Sequence, residues 1–286
     1  MPSAPRSLRS LLSLPFLLAA ACTGHDHSAH QHDEEDMAAS LSSDVTLSFQ
    51  GVVGSEAFAC GRSFGSGPGM FQPADFRLYL SEIKLLDANG TEVPVALTND
   101  GKWQSDRVAL LDFEDKTGDC TGTSETNTQI RGKVAAPTAT YTGLRFTVGV
   151  PFVDNHQDRA AAPAPLNLSA MFWSWQSGYK FLRAEGKTTS SVPFVAHIGS
   201  TGCTKDGSGQ VVSCSSPNRA TVTIPLTDPS RQTVRVDLAA LLGGSNLASP
   251  AECHSESDKT ECGPYFKALG LSFMGQANTQ SVFRVQ

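Results

Sequence analysis

The amino-acid sequence predicts an all-β protein: a β-sandwich-like single domain with long disulfide-pinned loops and few short helices. Three observations lead there. Short runs of alternating apolar residues recur along the chain, bounded by Gly, Pro and Asn turn signals. No long stretch carries the helical period, and no segment repeats. Only 17% of the 286 residues are charged, and glycine is abundant.

The chain opens on an export leader. Arg6 and Arg9 form the charged region and Leu11 to Leu18 the apolar run, which falls short of the about 20 apolar residues that span a bilayer. It ends in Ala19-Ala20-Ala21-Cys22. Small residues before a cysteine resemble a lipobox, with Ala19 where leucine is usual. The expectation is a signal peptide over 1–21 and a lipid on Cys22; ordinary cleavage nearby is the alternative. Thr23 in place of Asp, by similarity to lipoprotein sorting, directs the protein to the outer membrane, facing the periplasm.

Residues 22–43 read as a disordered linker without apolar residues to bury. His25, His27, His30 and His32 precede an acidic run, Asp33 to Asp36. Such a stretch is either a solvated tether or a weak site for a transition metal.

The domain proper is expected over 44–286. Val45, Leu47 and Phe49 alternate as a strand. Further strands are expected at Phe76–Leu86, Val93–Leu97, Val108–Phe113, Tyr141–Val150, Val192–Ile198, Ala220–Leu226 and Thr233–Leu238. Asn89-Gly90 marks a hairpin turn between Phe76–Leu86 and Val93–Leu97. Leu238–Leu242 and Tyr265–Leu271 read as single helical turns or short helices. Thr117–Thr128 reads as a pinned loop around Cys120, and Ala160–Pro165 as a connection.

Seven cysteines are present, and without Cys22 six remain. An even count in an exported chain implies disulfides. Six allow 15 pairings; the local choice joins Cys203 to Cys214 and Cys253 to Cys262, leaving Cys60 for Cys120. No Cys-x-x-Cys spacing supports a zinc or iron–sulfur site. Gly61-Arg62-Ser63-Phe64-Gly65 matches a nucleophile elbow, but Ser66-Gly67-Pro68-Gly69 follows where that motif needs a helix. A net charge of −6, with no basic cluster, argues against nucleic acid as a partner.

Met171-Phe172-Trp173-Ser174-Trp175 holds two of the three tryptophans. In one extended strand Met171, Trp173 and Trp175 would share a face. Gly178 would then permit a bulge or a close backbone approach before Tyr179 and Phe181. His156 and His197 flank this stretch, and the expectation is that the three segments meet at one site. The plain alternative is an aromatic strand that is simply core. Two imidazoles suit copper, and Cu(I) tolerates few ligands. An intact indole nitrogen only donates, whereas oxidative opening to kynurenine exposes an aryl amine and a ketone with lone pairs.

An ordered set of motifs resembles the MbnP family, also called metallo-mystery-pair four-cysteine proteins. These are Asp75-Phe76-Arg77-Leu78-Tyr79-Leu80, Val108 to Phe113, Gly149 to Phe152 with Asn155-His156, Pro165 to Leu168, Met171 to Gln176 with Gly178 to Arg183, His197 to Cys203, and Pro217-Asn218-Arg219. The resemblance spans roughly residues 44 to 286. It implies a periplasmic copper-binding protein, not itself an enzyme, with a di-haem cytochrome c peroxidase-like (MbnH-type) partner that oxidises a client tryptophan to kynurenine. His156, His197 and either Trp173 or Trp175 match the family's motifs, with the choice of tryptophan open. His254 stands where methionine is expected, as a further donor or as a surface-loop residue. Two rival functions remain: a copper-dependent redox enzyme using the same histidines, and a structural surface lipoprotein without metal.

Overall fold

A computed structural model describes residues 42–135, 139–174 and 178–286. Cys22, the histidines from His25 to His32, and Trp175 lie outside the described residues. The described strands, in chain order, are β1 (Ser43–Val53), β2 (Glu56–Ala57), β3 (Phe71–Asp87), β4 (Glu92–Leu97), β5 (Val108–Asp112), β6 (Gln129–Val134), β7 (Tyr141–Val148), β8 (Phe172–Trp173), β9 (Gly178–Thr188), β10 (Pro193–Gly199), β11 (Thr201–Lys205), β12 (Val211–Ser216), β13 (Ala220–Pro225), β14 (Thr233–Asp237), β15 (Glu252–Cys253) and β16 (Phe283–Val285). Three short helices accompany them: α1 (Phe152–Asn155), α2 (Leu238–Leu242) and α3 (Gly263–Leu269).

The long strand β3 organises the sheet, which curls through the order β15-β10-β9-β3-β4-β6-β1-β14-β16. Its first half pairs with β9 and its far end with β4. β9 and then β7 line one edge of β3, β5 and then β4 the other, and β13 extends the sheet from β7. The register shifts between Ser81 and Lys84, where Glu82 adopts a φ of 53°. That irregularity bends the strand, as bulges do, and helps the sheet close around its core.

Alternation on β3 and β9 divides the apolar side chains between two cores. Leu78 and Leu80 on β3, with Leu182 and Ala184 on β9, enter the large core inside the curl. Tyr79, Tyr179 and Phe181 face the other way, into a smaller cluster with Leu166 and Met171. Both tyrosine hydroxyls are satisfied there, Tyr79 donating to the Pro165 carbonyl at 2.9 Å and Tyr179 to that of Leu166 at 2.5 Å. A fully buried aromatic of this size contributes about 1.5–3 kcal/mol.

The strands read from the sequence are present, within a few residues at their ends. The helices at Leu238 and Gly263 are also present, the first capped by the Asp237 carboxylate. The three disulfides are Cys60–Cys120, Cys203–Cys214 and Cys253–Cys262. At the first, Gly61 and Gly118 cross so closely that a Cβ on Gly118 would lie 2.1 Å from the Gly61 Cα. Ser63 is exposed and leads into a 3-10 turn over Gly67–Gly69, so no nucleophile elbow forms.

One expectation is corrected. Met171 to Leu182 is not a single strand. Ser169–Met171 is a 3-10 turn, and β8 folds back on the start of β9, pairing Phe172 with Tyr179 and Trp173 with Gly178. Met171 therefore does not share a strand face with Trp173; it packs in the smaller core. The expected close approach at Gly178 does occur: a Cβ there would sit 3.1 Å from His156 Cε1 and 3.3 Å from the Asn155 side chain.

Candidate metal centre

His197 lies on β10 opposite Arg183 of β9, so the two side chains project from the same face of the sheet. The ring is only 6% exposed. Burial pushes its pKa down to about 4, leaving it neutral at neutral pH. Its Nε2 is 2.5 Å from Glu185 Oε1. Burial alone would raise the Glu185 pKa, but hydrogen bonds from His197 and Arg183 outweigh it and hold that carboxyl far below its usual range. An ionised carboxylate only accepts, so the neutral ring donates through Nε2–H and keeps its lone pair on Nδ1.

That lone pair points at a second imidazole. The Nδ1 atoms of His197 and His254 are 3.2 Å apart, and the ring centroids 5.1 Å. His254 Nε2 lies 3.3 Å from Glu252 Oε2. With Nε2–H directed at that carboxylate, its Nδ1 also presents a lone pair. Two such nitrogens repel unless a proton or a cation lies between them. Imidazoles whose outer N–H groups are held by carboxylates are the usual arrangement around a bound metal.

The backbone that presents His254 is fastened at several points. β15 pairs in parallel with β10, setting Cys253 beside Ala196, and the Cys253–Cys262 disulfide closes the loop behind it. Ser255, fully buried with a φ of 71°, accepts from the Gly199 N–H at 2.7 Å and donates to the His197 carbonyl at 3.0 Å. Ser255 thus ties the backbone beside His254 directly to that of His197 and Gly199.

Trp173 borders the pair. Its ring is buried, with its centroid 6.1 Å from that of His197. It lies over Gly199, where a Cβ would fall 2.6 Å from Trp173 Cζ3. The turn leading into Trp173 is held by the Ala170 carbonyl, which accepts from Lys180 Nζ at 2.8 Å and Arg183 Nη1 at 3.3 Å. Burial pushes the Lys180 ammonium down to about 8.

His156 occupies different surroundings. At the end of α1, its Nε2 lies 3.0 Å from Asn155 Nδ2 and 3.4 Å from Cys214 Sγ, and its ring packs edge-on to Phe152. His156, Cys203 and Cys214 form a group of donor atoms within 4.8 Å. Both sulfurs are in a disulfide, however, and have no thiolate to offer a metal. The other two such groups also contain a disulfide pair, and none among the described residues joins His156 to His197 and His254. The structure thus brings together His197, His254 and Trp173, with His156 meeting the tryptophan hairpin at Gly178.

Glu185, Glu252 and Ser255 were not singled out from the sequence. The pattern Arg183-x-Glu185, beside a histidine strand, was the available signal for the first of them.

The described residues define a class: a disulfide-braced all-β protein in which two carboxylate-backed imidazoles face each other beside a tryptophan. The family model for MbnP matches residues 42–255. Among solved structures, MbnP from Methylosinus trichosporium is similar, with 31% identity, a TM-score of 0.72, and coverage of 85% of this chain and 98% of that one. No protein in the curated set matches. The chain belongs to the MbnP family.

Proposed function

We propose that this protein is an exported copper-binding protein, without catalytic activity of its own, whose cargo ion is held between His197 and His254. The observation that carries the reading is the approach of their Nδ1 atoms to 3.2 Å, with each Nε2 beside a carboxylate. Two neutral imidazoles and a third, weaker donor match the low coordination that Cu(I) accepts.

The third donor in this reading is a kynurenine formed from Trp173 or Trp175 by the di-haem partner with peroxide as oxidant. Oxygen adds across the indole C2–C3 bond, which breaks, and C2 then leaves as formate on hydrolysis. Trp173 borders the His197 ring, but its indole offers no lone pair until the ring is opened. The site thus matures only after an oxidant has acted on the chain. A lipid on Cys22 would keep it at the outer membrane, facing the periplasm.

The test combines intact mass and metal content. Purified from copper-supplemented cells with the di-haem partner, the protein carries the mass change of kynurenine and one tightly held copper. Trp173→Phe keeps the apolar packing; if Trp173 is the reactive residue, it removes the mass change and weakens copper binding. An unmodified protein that still holds copper at full strength would overturn the maturation step. Turnover of a small substrate by the copper-loaded protein would favour a redox enzyme instead.

A further inference from the structure

A chain of ionic contacts runs beneath the site. The registers of β3, β9 and β10 align Arg77, Arg183 and His197 in one row across three strands, with Asp75 opposite Glu185 in the next. Arg77 makes a two-pronged contact with the fully buried Asp75, and its Nη1 is 3.9 Å from Glu114. Arg183 uses every edge of its guanidinium. Nε and Nη2 donate to Glu185 Oε1 and Oε2 at 2.7 and 2.9 Å, while Nη1 is 3.2 Å from Asp75 Oδ2 and 3.3 Å from the Ala170 oxygen. The chain ends at His197 Nε2, 2.5 Å from Glu185.

Stability alone is a poor explanation for such an arrangement. Buried ion pairs can often be replaced by packed apolar residues without loss, because desolvation offsets much of their attraction. What they supply is fixed geometry, and arginine's planar fork supplies more of it than lysine can. Here the geometry is directed at two features of the proposed site. Glu185 selects the ring nitrogen of His197 that bears hydrogen, and Ala170 is the turn residue from which Phe172 and Trp173 depart.

We propose that Arg183 is a positioning residue of the metal centre: its single guanidinium orients Glu185, and so fixes the Nε2–H tautomer of His197, while anchoring the turn that carries Trp173. This builds on the reading of His197 as a donor through Nδ1. With Glu185 held by two parallel bonds, its Oε1 stays at the His197 ring, and the Nδ1 lone pair remains toward His254. Lysine at position 183 would keep the charge but could not make both bonds to Glu185 while also reaching Asp75 and Ala170.

The test is read first without metal. Long-range proton–nitrogen NMR on the metal-free protein identifies which nitrogen of His197 carries hydrogen. The expected result is Nε2–H alone in the unmodified chain and a mixture of tautomers in Arg183→Lys and Glu185→Gln. Lys180→Met removes the other donor to Ala170 but leaves Glu185 in place, so His197 keeps one tautomer there. Competition with a chromophoric Cu(I) chelator then gives affinity, expected to fall about 10- to 100-fold in the first two variants, the usual effect of losing a group that orients a ligand. Glu185→Gln, nearly the same size as the native residue, carries the test if Arg183→Lys does not fold.

A single Nε2–H tautomer in both Arg183→Lys and Glu185→Gln would overturn the proposal, even if their affinity fell. A tautomer that shifts in a protein unable to bind copper supports the positioning role and rejects the copper reading, so the two failures are distinct.

Discussion

His197 and His156 are the same residue type, each close to the tryptophan hairpin, and they have come to rest in contrasting surroundings. His197 is enclosed on β10, beside the short edge strand β15, with one nitrogen on a carboxylate and the other facing His254. His156 stands after a single turn of helix, against Phe152, an asparagine amide and a disulfide. The first has a carboxylate at one nitrogen and a second imidazole facing the other, whereas the Nε2 of the second faces the Asn155 amide and Cys214 Sγ. In the proposed reading, what each ring nitrogen faces, rather than proximity to the aromatic segment, distinguishes His197 as a donor from His156 as a supporting side chain.

The largest expected effect breaks this contrast directly. His197→Ala or His254→Ala each removes an imidazole from the facing pair and lowers Cu(I) affinity by more than about 100-fold, exceeding what loss of an orienting neighbour costs. His156→Ala lowers it by less than about 10-fold, within the effect of disturbing a supporting contact. Chelator competition on all three variants measures the ranking. Equal losses would place His156 within the donor set and erase the distinction.

The next effect concerns protons. The unfolded chain has an ordinary His197 near pH 6.5, whereas the folded ring titrates near pH 4 because it is buried. Between those values the unfolded state binds the extra proton, so stability falls as pH drops through this window and the loss is complete below it. The contribution of His197 is on the order of 3 kcal/mol. Denaturant unfolding from pH 7 to pH 4, compared between the parent and His197→Gln, isolates it; parallel curves would mean that the ring is not held neutral.

Gly199 offers a sharper probe of the tryptophan side. An alanine Cβ there would lie 2.5 Å from the Tyr179 carbonyl oxygen and 2.6 Å from Trp173 Cζ3. Gly199→Ala is expected to cost about 1–3 kcal/mol, the range for overpacking, and to change tryptophan fluorescence. Gly209→Ala is a poor comparison because its φ is 86°; Gly69→Ala, with nothing within 4 Å, is the suitable control. A melting temperature unchanged at position 199 would show that Trp173 does not rest on that glycine.

The smallest effect is expected from the N-terminal histidines. A chain starting at Leu41 keeps the tight copper equivalent and loses only weak additional capacity, as titration with Cu(I) can show. Loss of all binding would move the site to the segment between His25 and His32.

Much of the frame was legible because period-two alternation is a local property. Phe76, Leu78 and Leu80 declare a strand with one face in the core, and Asn89-Gly90 declares the turn after it. Strand β6 was missed because its outward positions are Gln129, Arg131 and Lys133, and its buried ones include Gly132. The run from Met171 to Leu182 read as one strand because its apolar residues are continuous in sequence. Its reversal depends on the pairing of Trp173 with Gly178 and on His156 pressing close to that glycine.

By itself, the sequence determined the all-β class, an even set of six cysteines available to pair and the residue types able to form a metal site, while the pairing itself was one local choice among many. Those follow from alternation, turn chemistry and cysteine count, all expressed over short stretches of chain. Tertiary structure alone decided that His254 faces His197 while His156 turns toward a disulfide, and that Arg183 and Glu185 stand behind the pair. Those relations arise from strand register across β3, β9 and β10 and from the parallel pairing of β15. A side chain's partners there are set by residues tens of positions away, brought opposite it only when the sheet closes.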